Sequence, residues 1–352
     1  MFKRDATQRG EGCMQLRVHR NSFDPRRISW VLQEKGSTNQ IWIGERGDEK
    51  WMLKWYRYPM EGVHPEVEMA QVLEQTGIDC IARYGGVLEG RLKHAEWKVI
   101  AFVQRWVEGE SLWDFVVNMM RCGDFPEQEV KSWGMQIGKL HKALREVRGN
   151  SAFSPEGWSA LDADRWSKRV ESCGDRILEH LKKKRPDEVT CSEWERAKLF
   201  WEGREKEWRA KALALSELCV EQHKIRIHGD LHLGQILRTS EKGIVLLDFE
   251  GEPLRSLEER REKDSPMRDV AGMLRSFAYA EAVSEASIGE SKRWGDAFLA
   301  GWENEMVGES GLQHDVLEAF VWEKAVYELE YELRHRPKWI GVPLNWLEQN
   351  WD

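Results

Sequence analysis

The stretch HGDLHLGQILRTSEKGIVLLDFE, residues 228–250, contains three polar residues whose types and spacing could support chemistry. Asp230 is followed five residues later by Gln235, and Asp248 comes thirteen residues after that. The segment ILR, the turn TSEKG and the apolar IVLL predict a short hairpin between the last two residues. Such a hairpin could bring one proton acceptor and two oxygen ligands for Mg²⁺ to the same point.

The order of these side chains is the one that kinases use for phosphoryl transfer. There, a first aspartate accepts the proton of the substrate hydroxyl, and an amide and a second aspartate hold Mg²⁺ on the nucleotide phosphates. We therefore predict that Asp230 is the base and that Gln235 and Asp248 bind Mg²⁺, with Gln in place of the usual Asn. The alternatives are a coincidental hairpin or a catalytically inactive relative.

The composition argues against several classes of protein. Over 352 residues the net charge is −8, from 53 basic and 61 acidic residues, which argues against a nucleic-acid partner. No apolar run approaches about 18 residues and the N-terminus has no apolar core, so we expect no membrane span and a cytoplasmic location. The six cysteines show no metal-binding spacing and are interpreted as reduced thiols. Protein partners stay unknown at this stage.

Strand-like segments begin at Ile28, with ISWVLQ, IWIGE and KWMLKWYR following one another. The turn KGSTNQ lies between the first two, and Ser37, Thr38 and Asn39 offer donors that could lie over phosphates. An ordinary hairpin turn is the other interpretation.

Lys54 lies inside the apolar strand WMLKWY, where a lysine is costly without an anionic partner. A kinase needs such a lysine to reach the nucleotide phosphates and to pair with a glutamate of the next helix. Pro65 and nearby acidic residues predict the start of that helix. We expect Glu68 to be the partner of Lys54, with Glu66 second. Alternatively, Lys54 lies on an edge strand with its ammonium group in water.

The apolar strand VIAFVQRWV, residues 99–107, should lead to the hinge of a two-lobed kinase. Backbone groups from Gln104 to Val107 would then bind the adenine ring.

A helical pattern dominates the rest of the chain. Apolar residues recur at three- and four-residue steps over 126–147, and His141 beside them is expected to be structural. Residues 150–224 are predicted to be mostly helical. The sequence places Trp194, Trp201, Trp208 and Leu215, seven residues apart, along one helix face.

Two further helices carry candidate site residues. Ser265 and Pro266 predict a helix start, and Asp269 could brace the catalytic loop through its backbone amides or simply favour the helix N-terminus. The predicted helix 318–333 carries tyrosines and glutamates that could line a carbohydrate pocket. They could equally form a solvated face with two core tyrosines.

Together these elements predict an α+β fold with the two lobes of a protein kinase or an aminoglycoside phosphotransferase. We expect an N-terminal extension over 1–27, a β-rich nucleotide-binding lobe over 28–105, and a helical lobe with the catalytic loop over 106–352.

Several longer segments resemble the maltokinases, which belong to the aminoglycoside-phosphotransferase-like kinases. They are HGDLHLGQ, LLDFEGEP, RREKDSPMRDVAGMLRSFAYA and EKAVYELEYELRHRPKWIGVPL, with further support from GSTNQIWIG, WMLKWYR and GVHPEVEMAQVL. The resemblance covers roughly residues 30–78 and 223–345. About thirty residues precede the phosphate loop, so we expect the maltokinase cap subdomain to be absent.

This resemblance implies an ATP- and Mg²⁺-dependent kinase that phosphorylates a small sugar, with maltose as the leading substrate. Carried over by position, Lys54 with Glu68 would orient the phosphates, Asp230 would be the base, and Gln235 and Asp248 the metal ligands. The residues that we assign to the sugar side are His228, Glu250, Tyr327, Glu328, Tyr331 and Trp339. A glucosamine or aminoglycoside kinase is the alternative, followed by a nucleotide-binding regulator without turnover.

Overall fold

The structure is a computed structural model that describes residues 15–19, 24–35, 39–92, 95–220, 222–253, 255–306 and 314–351. The chain forms two compact units. One consists of Met1–Glu110 and Gln235–Arg261, and the other of Ser111–Gly234 and Glu262–Asp352. This division differs from the predicted lobes because the segment Gln235–Arg261 belongs to the first unit.

Strands and helices are numbered here in chain order, within the described residues. The strands are β1 (Gln15–His19), β2 (Trp30–Lys35), β3 (Asn39–Arg46), β4 (Glu49–Glu61), β5 (Tyr84–Arg91), β6 (Lys98–Arg105), β7 (Glu110–Ser111), β8 (Glu156–Gly157), β9 (His223–Lys224), β10 (Ile236–Thr239) and β11 (Gly243–Leu246). The α-helices are α1 (Pro65–Thr76), α2 (Leu112–Cys122), α3 (Glu127–Glu146), α4 (Ala160–Leu181), α5 (Cys191–Glu202), α6 (Glu205–Leu218), α7 (Met267–Ser284), α8 (Glu290–Glu305), α9 (His314–His335) and α10 (Gly341–Gln349).

The first unit is built on an antiparallel sheet of order β1-β5-β6-β4-β3-β2. Its core includes Leu53, Leu88 and Val103, which are fully buried. The helix α1 begins at Pro65, where the missing N–H costs no hydrogen bond, and ends before Gly77, which adopts the left-handed conformation with φ 73°.

The predicted hairpin is confirmed. Strands β10 and β11 pair in an antiparallel register from Ile236 opposite Leu246 to Thr239 opposite Gly243. The hairpin joins the first unit through the Leu246 N–H, which donates to the Cys80 carbonyl at 2.8 Å. This attachment explains why the segment after Gly234 belongs to that unit.

The second unit is mainly helical. Helices α3 and α8 approach so closely that a Cβ at Gly301 would lie 1.9 Å from the Lys131 carbonyl oxygen, and one at Gly134 would lie 2.0 Å from that of Phe298. Tryptophans provide much of the core, and the fully buried ones are Trp133, Trp166, Trp201, Trp208, Trp294, Trp302 and Trp322. The α+β class, with a sheet-bearing unit and a helical unit, is thereby confirmed.

The prediction of one helix face for the regularly spaced tryptophans is wrong. Helix α5 ends at Glu202 and α6 begins at Glu205, with Arg204 between them at the non-helical angles φ −118° and ψ 21°. Trp201 and Trp208 still lie next to each other, because their rings stack across this break, with centroids 5.5 Å apart and planes 15° from parallel. Within the described part of the chain, no helix has the length and apolar character needed to cross a membrane.

Candidate active site

The first unit holds Lys54 in the middle of its sheet. The residue lies on β4 between Ile41 of β3 and Phe102 of β6, and its side chain is 7% exposed. Its Nζ lies 3.1 Å from Glu66 Oε2 and 2.7 Å from Asp248 Oδ1. The interior lysine is therefore paired with acids, as the sequence predicts, and its ammonium group is not in water.

A third carboxylate completes the cluster around this lysine. Glu250, which the sequence assigned to the sugar side, forms an ion pair with Lys54 and accepts a hydrogen bond from Asn39 Nδ2 at 3.2 Å. Burial opposes the charge on Lys54, but the carboxylates outweigh it and raise the pKa of Lys54 well above its usual value. Burial also raises the pKa of Glu66, to about 8. The cluster thus combines one buried cation with three acids.

The expected pairing of Lys54 with Glu68 is wrong. Residues two apart on an α-helix point in nearly opposite directions, so only one of the two first-turn glutamates can face the lysine. Glu66 does so, and its carboxylate also accepts a hydrogen bond from the Tyr56 hydroxyl. Glu68 instead accepts two hydrogen bonds from Arg261, from Nε at 3.0 Å and Nη2 at 2.9 Å.

We expect Glu66→Ala to lower kcat/KM about 10-fold, because Lys54 loses the acid that fixes its position and a small misplacement of a catalytic group is costly. Glu68→Ala, the matched change two residues away, should stay within about 2-fold and reduce stability by at most about 1 kcal/mol, since its pair with Arg261 is partly exposed. Steady-state kinetics with varied ATP measure both. Equal losses in the two variants would contradict this assignment.

His64 lies directly before α1 and is 2% exposed. Its ring stacks on Tyr56, with centroids 4.3 Å apart, and neither ring nitrogen has a hydrogen-bond partner among the described residues. Burial, together with the charge of Lys54, lowers the pKa of His64 to about 3, while Asp248 acts against this and Arg260 adds to it. The imidazole is therefore neutral in the folded protein.

This burial predicts a loss of stability in acid. Below pH 6.5 the unfolded chain protonates His64 and the folded protein does not, so the free energy of unfolding should fall as the pH drops towards 3. The contribution should be about 1.5 kcal/mol between pH 6.5 and 5. His64→Phe, which keeps the ring stack, should remove this part of the dependence, as measured by urea unfolding followed by circular dichroism. The same substitution at the exposed His314 serves as the control, and identical pH profiles for wild type and His64→Phe would contradict the prediction.

The residues around Asp248 fit a magnesium ion. Asp248, Glu250 and Glu66 each place a carboxylate oxygen within 4.8 Å of the others, and hard oxygen ligands are those that Mg²⁺ prefers. Asp248 has φ 60°, a value uncommon for a residue other than glycine and often found at functional sites. The Leu247 N–H donates to the Gln235 carbonyl at 2.9 Å, so the hairpin brings the backbone of the predicted amide ligand beside the segment after β11 that contains Asp248.

The second unit holds the loop around Asp230 that the sequence predicts to be catalytic. Asp269, near the start of α7, is fully buried and accepts the N–H groups of His228 at 2.8 Å and Gly229 at 2.9 Å. This is the bracing role that the sequence suggested for Asp269.

Helix α7 supports the loop further. Ser276 accepts the Leu233 N–H at 3.0 Å, and a Cβ at Gly272 would lie 2.3 Å from the Leu231 carbonyl oxygen.

A second layer of contacts holds Asp269 itself. His141 Nε2 lies 3.1 Å from Asp269 Oδ2, and Trp302 donates to His141 Nδ1 at 3.0 Å. His141 is thus the structural histidine that the sequence predicts. Although burial opposes ionisation, His141, His228 and the Gly229 amide hold the pKa of Asp269 below its usual value. The loop therefore hydrogen-bonds to a carboxylate whose charged form is favoured.

Asp230 follows this braced turn, with its side chain 18% exposed. Its carboxylate lies 3.5 Å from the Nζ of Lys324 on α9. His228, assigned to the substrate by the sequence, is buried, and its Nδ1 lies 3.4 Å from the Asp230 backbone N–H. That placement makes His228 part of the loop's own support.

The other candidates of the sugar side lie on α9 and after it. Tyr327 and Tyr331 stack with centroids 6.4 Å apart, and Trp339 is half-buried. Glu328 is buried and already paired with Arg275, whose Nη2 lies 2.7 Å from Glu328 Oε2. The charge of Glu328 is thus balanced within the protein, and its assignment to the sugar pocket stays a prediction.

The structure describes only some of the other residues that the sequence predicts to bind the nucleotide. Ser37 and Thr38 lie outside the described residues. Gln104 is buried in β6, and Val107 follows the end of that strand. The sequence did not identify Tyr56, Lys324 or Arg275. Tyr56 could have been found, because it lies two residues after Lys54 and therefore on the same strand face.

Comparisons with known proteins place the chain among phosphotransferases. Residues 31–303 match the phosphotransferase enzyme family. A glucosamine kinase of Mycolicibacterium smegmatis is 31% identical over 340 residues, covering 90% of this chain and 80% of that protein. A glucosamine kinase of Streptacidiphilus jiangxiensis is 26% identical over 342 residues, covering 89% and 72%. Both are glucosamine kinases, so the resemblance to maltokinases is supported only at the level of the larger family.

Solved structures show the same fold. A glucosamine kinase in complex with glucosamine, ADP and inorganic phosphate superposes with a TM-score of 0.72 at 20% identity, covering 96% of this chain and 82% of that one. An amicoumacin kinase with AMP-PNP and Ca²⁺ gives a TM-score of 0.53 at 12% identity, covering 93% and 89%. The family match and the 31% identical relative show an enzyme that transfers a phosphoryl group from ATP, with Mg²⁺, to a hydroxyl group. The chain belongs to the phosphotransferase enzyme family.

Proposed function

We propose that the chain is a glucosamine kinase, which transfers the γ-phosphoryl group of ATP to a hydroxyl group of glucosamine. The observation that carries this proposal is the 31% identity to a glucosamine kinase over 90% of the chain. The Lys54 cluster and the braced Asp230 loop supply the parts that the reaction requires.

The residues have separate roles in the proposed reaction. Lys54, held by Glu66, would bind the nucleotide phosphates. Gln235 and Asp248 would hold Mg²⁺, with Glu250 close enough to join them, and the ion would neutralise charge on the phosphates. Asp230 would orient the acceptor hydroxyl and accept its proton.

The proton transfer needs no strong base. A carboxylate can fix the hydroxyl for attack and take the proton late, because most of the rate comes from positioning and from charge neutralisation. The bracing of the loop by Asp269 supports this role, since it fixes the backbone amides of His228 and Gly229, directly before Asp230.

Maltose, the substrate implied by the resemblance to maltokinases, is the competing candidate. Both sugars offer hydroxyl groups, but glucosamine is cationic and smaller. The second unit already neutralises Glu328 with Arg275 and Glu332 with Arg336, so these two acids give no reason by themselves to prefer the amino sugar. The proposal therefore rests on the relatives.

A substrate panel tests the proposal. Purified protein with MgATP is offered glucosamine, glucose, N-acetylglucosamine, maltose and an aminoglycoside, and ADP release is measured. We expect kcat/KM for glucosamine to exceed that for every other sugar at least about 10-fold, the scale of the net free energy of one hydrogen bond. A preference for maltose or for the aminoglycoside would overturn the proposal and leave the phosphotransferase activity intact.

A further inference from the structure

Lys324 is a partly buried cation next to the acid that we assign as the base. Its Nζ lies 3.5 Å from Asp230 Oδ1, and the two side chains are 14% and 18% exposed. The ammonium group also lies 4.8 Å from the centre of the Tyr327 ring, which favours a cation over its face. Two residues separated by 94 positions in the chain thus meet inside the second unit.

The acids beside Lys324 on α9 have other partners. Glu323 accepts hydrogen bonds from Trp166 and Arg268, at 3.0 Å and 3.1 Å, and Glu328 is paired with Arg275. Helix α9 is therefore fixed on both sides of Lys324 by buried ion pairs. This anchoring holds the Lys324 backbone at a constant place relative to the catalytic loop, which the second unit also contains.

The pair with Asp230 is loose compared with the lysine pair of the first unit. Lys54 Nζ lies 2.7 Å from Asp248 Oδ1, whereas Lys324 Nζ lies 3.5 Å from Asp230 Oδ1. A charge-assisted hydrogen bond is normally 2.7–2.9 Å long. The contact between Lys324 and Asp230 is therefore longer than a normal charge-assisted hydrogen bond.

The chemistry at Asp230 calls for a cation at this place. As the acceptor oxygen attacks the γ-phosphorus, its bond to that atom forms, the bond from the phosphorus to the bridging oxygen of ADP breaks, and the hydroxyl proton passes to Asp230. The phosphoryl oxygens then approach a carboxylate of like charge, and this repulsion would raise the barrier. An ammonium group beside the carboxylate offsets it, most effectively where water is excluded.

We propose that Lys324 is a catalytic residue that donates a hydrogen bond to a non-bridging oxygen of the phosphoryl group in transit. Its ammonium group keeps its proton throughout. The inference rests on the proposed function, because it takes Asp230 to be the base.

The test compares Lys324→Met with Asp230→Asn and with Lys168→Met, which removes an exposed lysine of α4. We expect Lys324→Met to lower kcat about 10²-fold, as for the loss of one group that stabilises transition-state charge, with KM for ATP and sugar within about 3-fold. Lys168→Met should match the wild type. Lys324→Arg should recover part of the rate, because it keeps the charge.

A sulfur substitution separates contact with the phosphoryl group from an effect on Asp230 alone. Sulfur accepts hydrogen bonds weakly, so the loss of rate in Lys324→Met should be at least about 5-fold smaller with ATPγS than with ATP. Equal losses with both nucleotides would mean that Lys324 only positions Asp230, and the inference would be overturned.

Two further outcomes are distinguishable. If Lys324→Met keeps kcat within about 3-fold while Asp230→Asn is inactive, the lysine inference fails and the proposed function stands. If Asp230→Asn is fully active, the assignment of the base fails and the lysine inference fails with it, whereas the proposed function fails only if the wild type does not phosphorylate glucosamine. Circular dichroism checks the fold of each variant, and Lys324→Gln, which keeps a polar side chain, replaces Lys324→Met if the latter does not fold.

Discussion

Asp230→Asn is expected to lower kcat for phosphorylation of glucosamine about 10³-fold, within the range that a positioned general base contributes. The amide keeps the size of the side chain, but it cannot accept the hydroxyl proton, and it removes the negative charge that orients the hydroxyl. ATP binding should change little, because Asp230 belongs to the second unit and the Lys54 cluster to the first. Coupled ADP release measures turnover, and isothermal titration with MgADP measures nucleotide binding.

Asp164→Asn is a suitable control for this change. Asp164 lies on the exposed face of α4, pairs with Lys168, and belongs to the same unit as Asp230. Its variant should keep wild-type turnover. Substantial phosphorylation by Asp230→Asn would show that another group takes the proton and that the assignment of the base is mistaken.

Lys54→Met should damage both activity and stability. Without the lysine, the carboxylates of Glu66, Asp248 and Glu250 face one another within 4.8 Å in a largely buried place. Removing one partner of a buried ion pair typically costs about 3–5 kcal/mol of stability. We also expect kcat/KM for ATP to fall about 10³-fold, because the phosphates lose their fixed cation.

Lys50→Met provides the comparison on the same strand. Lys50 lies four residues before Lys54 on β4, but it is exposed and pairs with the exposed Glu108. Its loss should change stability by less than about 1 kcal/mol and leave kinetics unaltered. Thermal unfolding followed by circular dichroism, together with ATP titrations of turnover, measures both variants. A Lys54→Met protein as stable as Lys50→Met would show that the acids do not depend on the lysine.

The sequence was most informative where one residue type conflicts with its surroundings. Lys54 stood out because an ammonium group in an apolar strand needs an acid, and the structure supplies three. Asp269 could be proposed from its place near a helix start, although the hydrogen bonds to His228 and Gly229 became visible only in the fold. Predictions of this kind depend only on a residue and its neighbours in the sequence, so they can be made without knowing the fold.

Other features depended on how elements rotate and meet, which local patterns do not determine. Glu66 and Glu68 both lie in the first turn of α1, and only the rotation of that helix against the sheet decides which one faces Lys54. Lys324 lies among glutamates on an amphipathic helix, a pattern typical of a solvated surface. Its contact with Asp230 arises from the packing of distant segments of the second unit.

The uneven distribution of the tryptophans between the two units affects how the unfolding of the Lys54 variant should be measured. Thirteen of the nineteen indole side chains belong to the second unit and six to the first. Intrinsic fluorescence will therefore report mainly on melting of the helical part, and a local loosening of the sheet around residue 54 would be under-represented in the emission signal. Placing a single extrinsic dye on the sheet would give that half of the molecule a signal of its own.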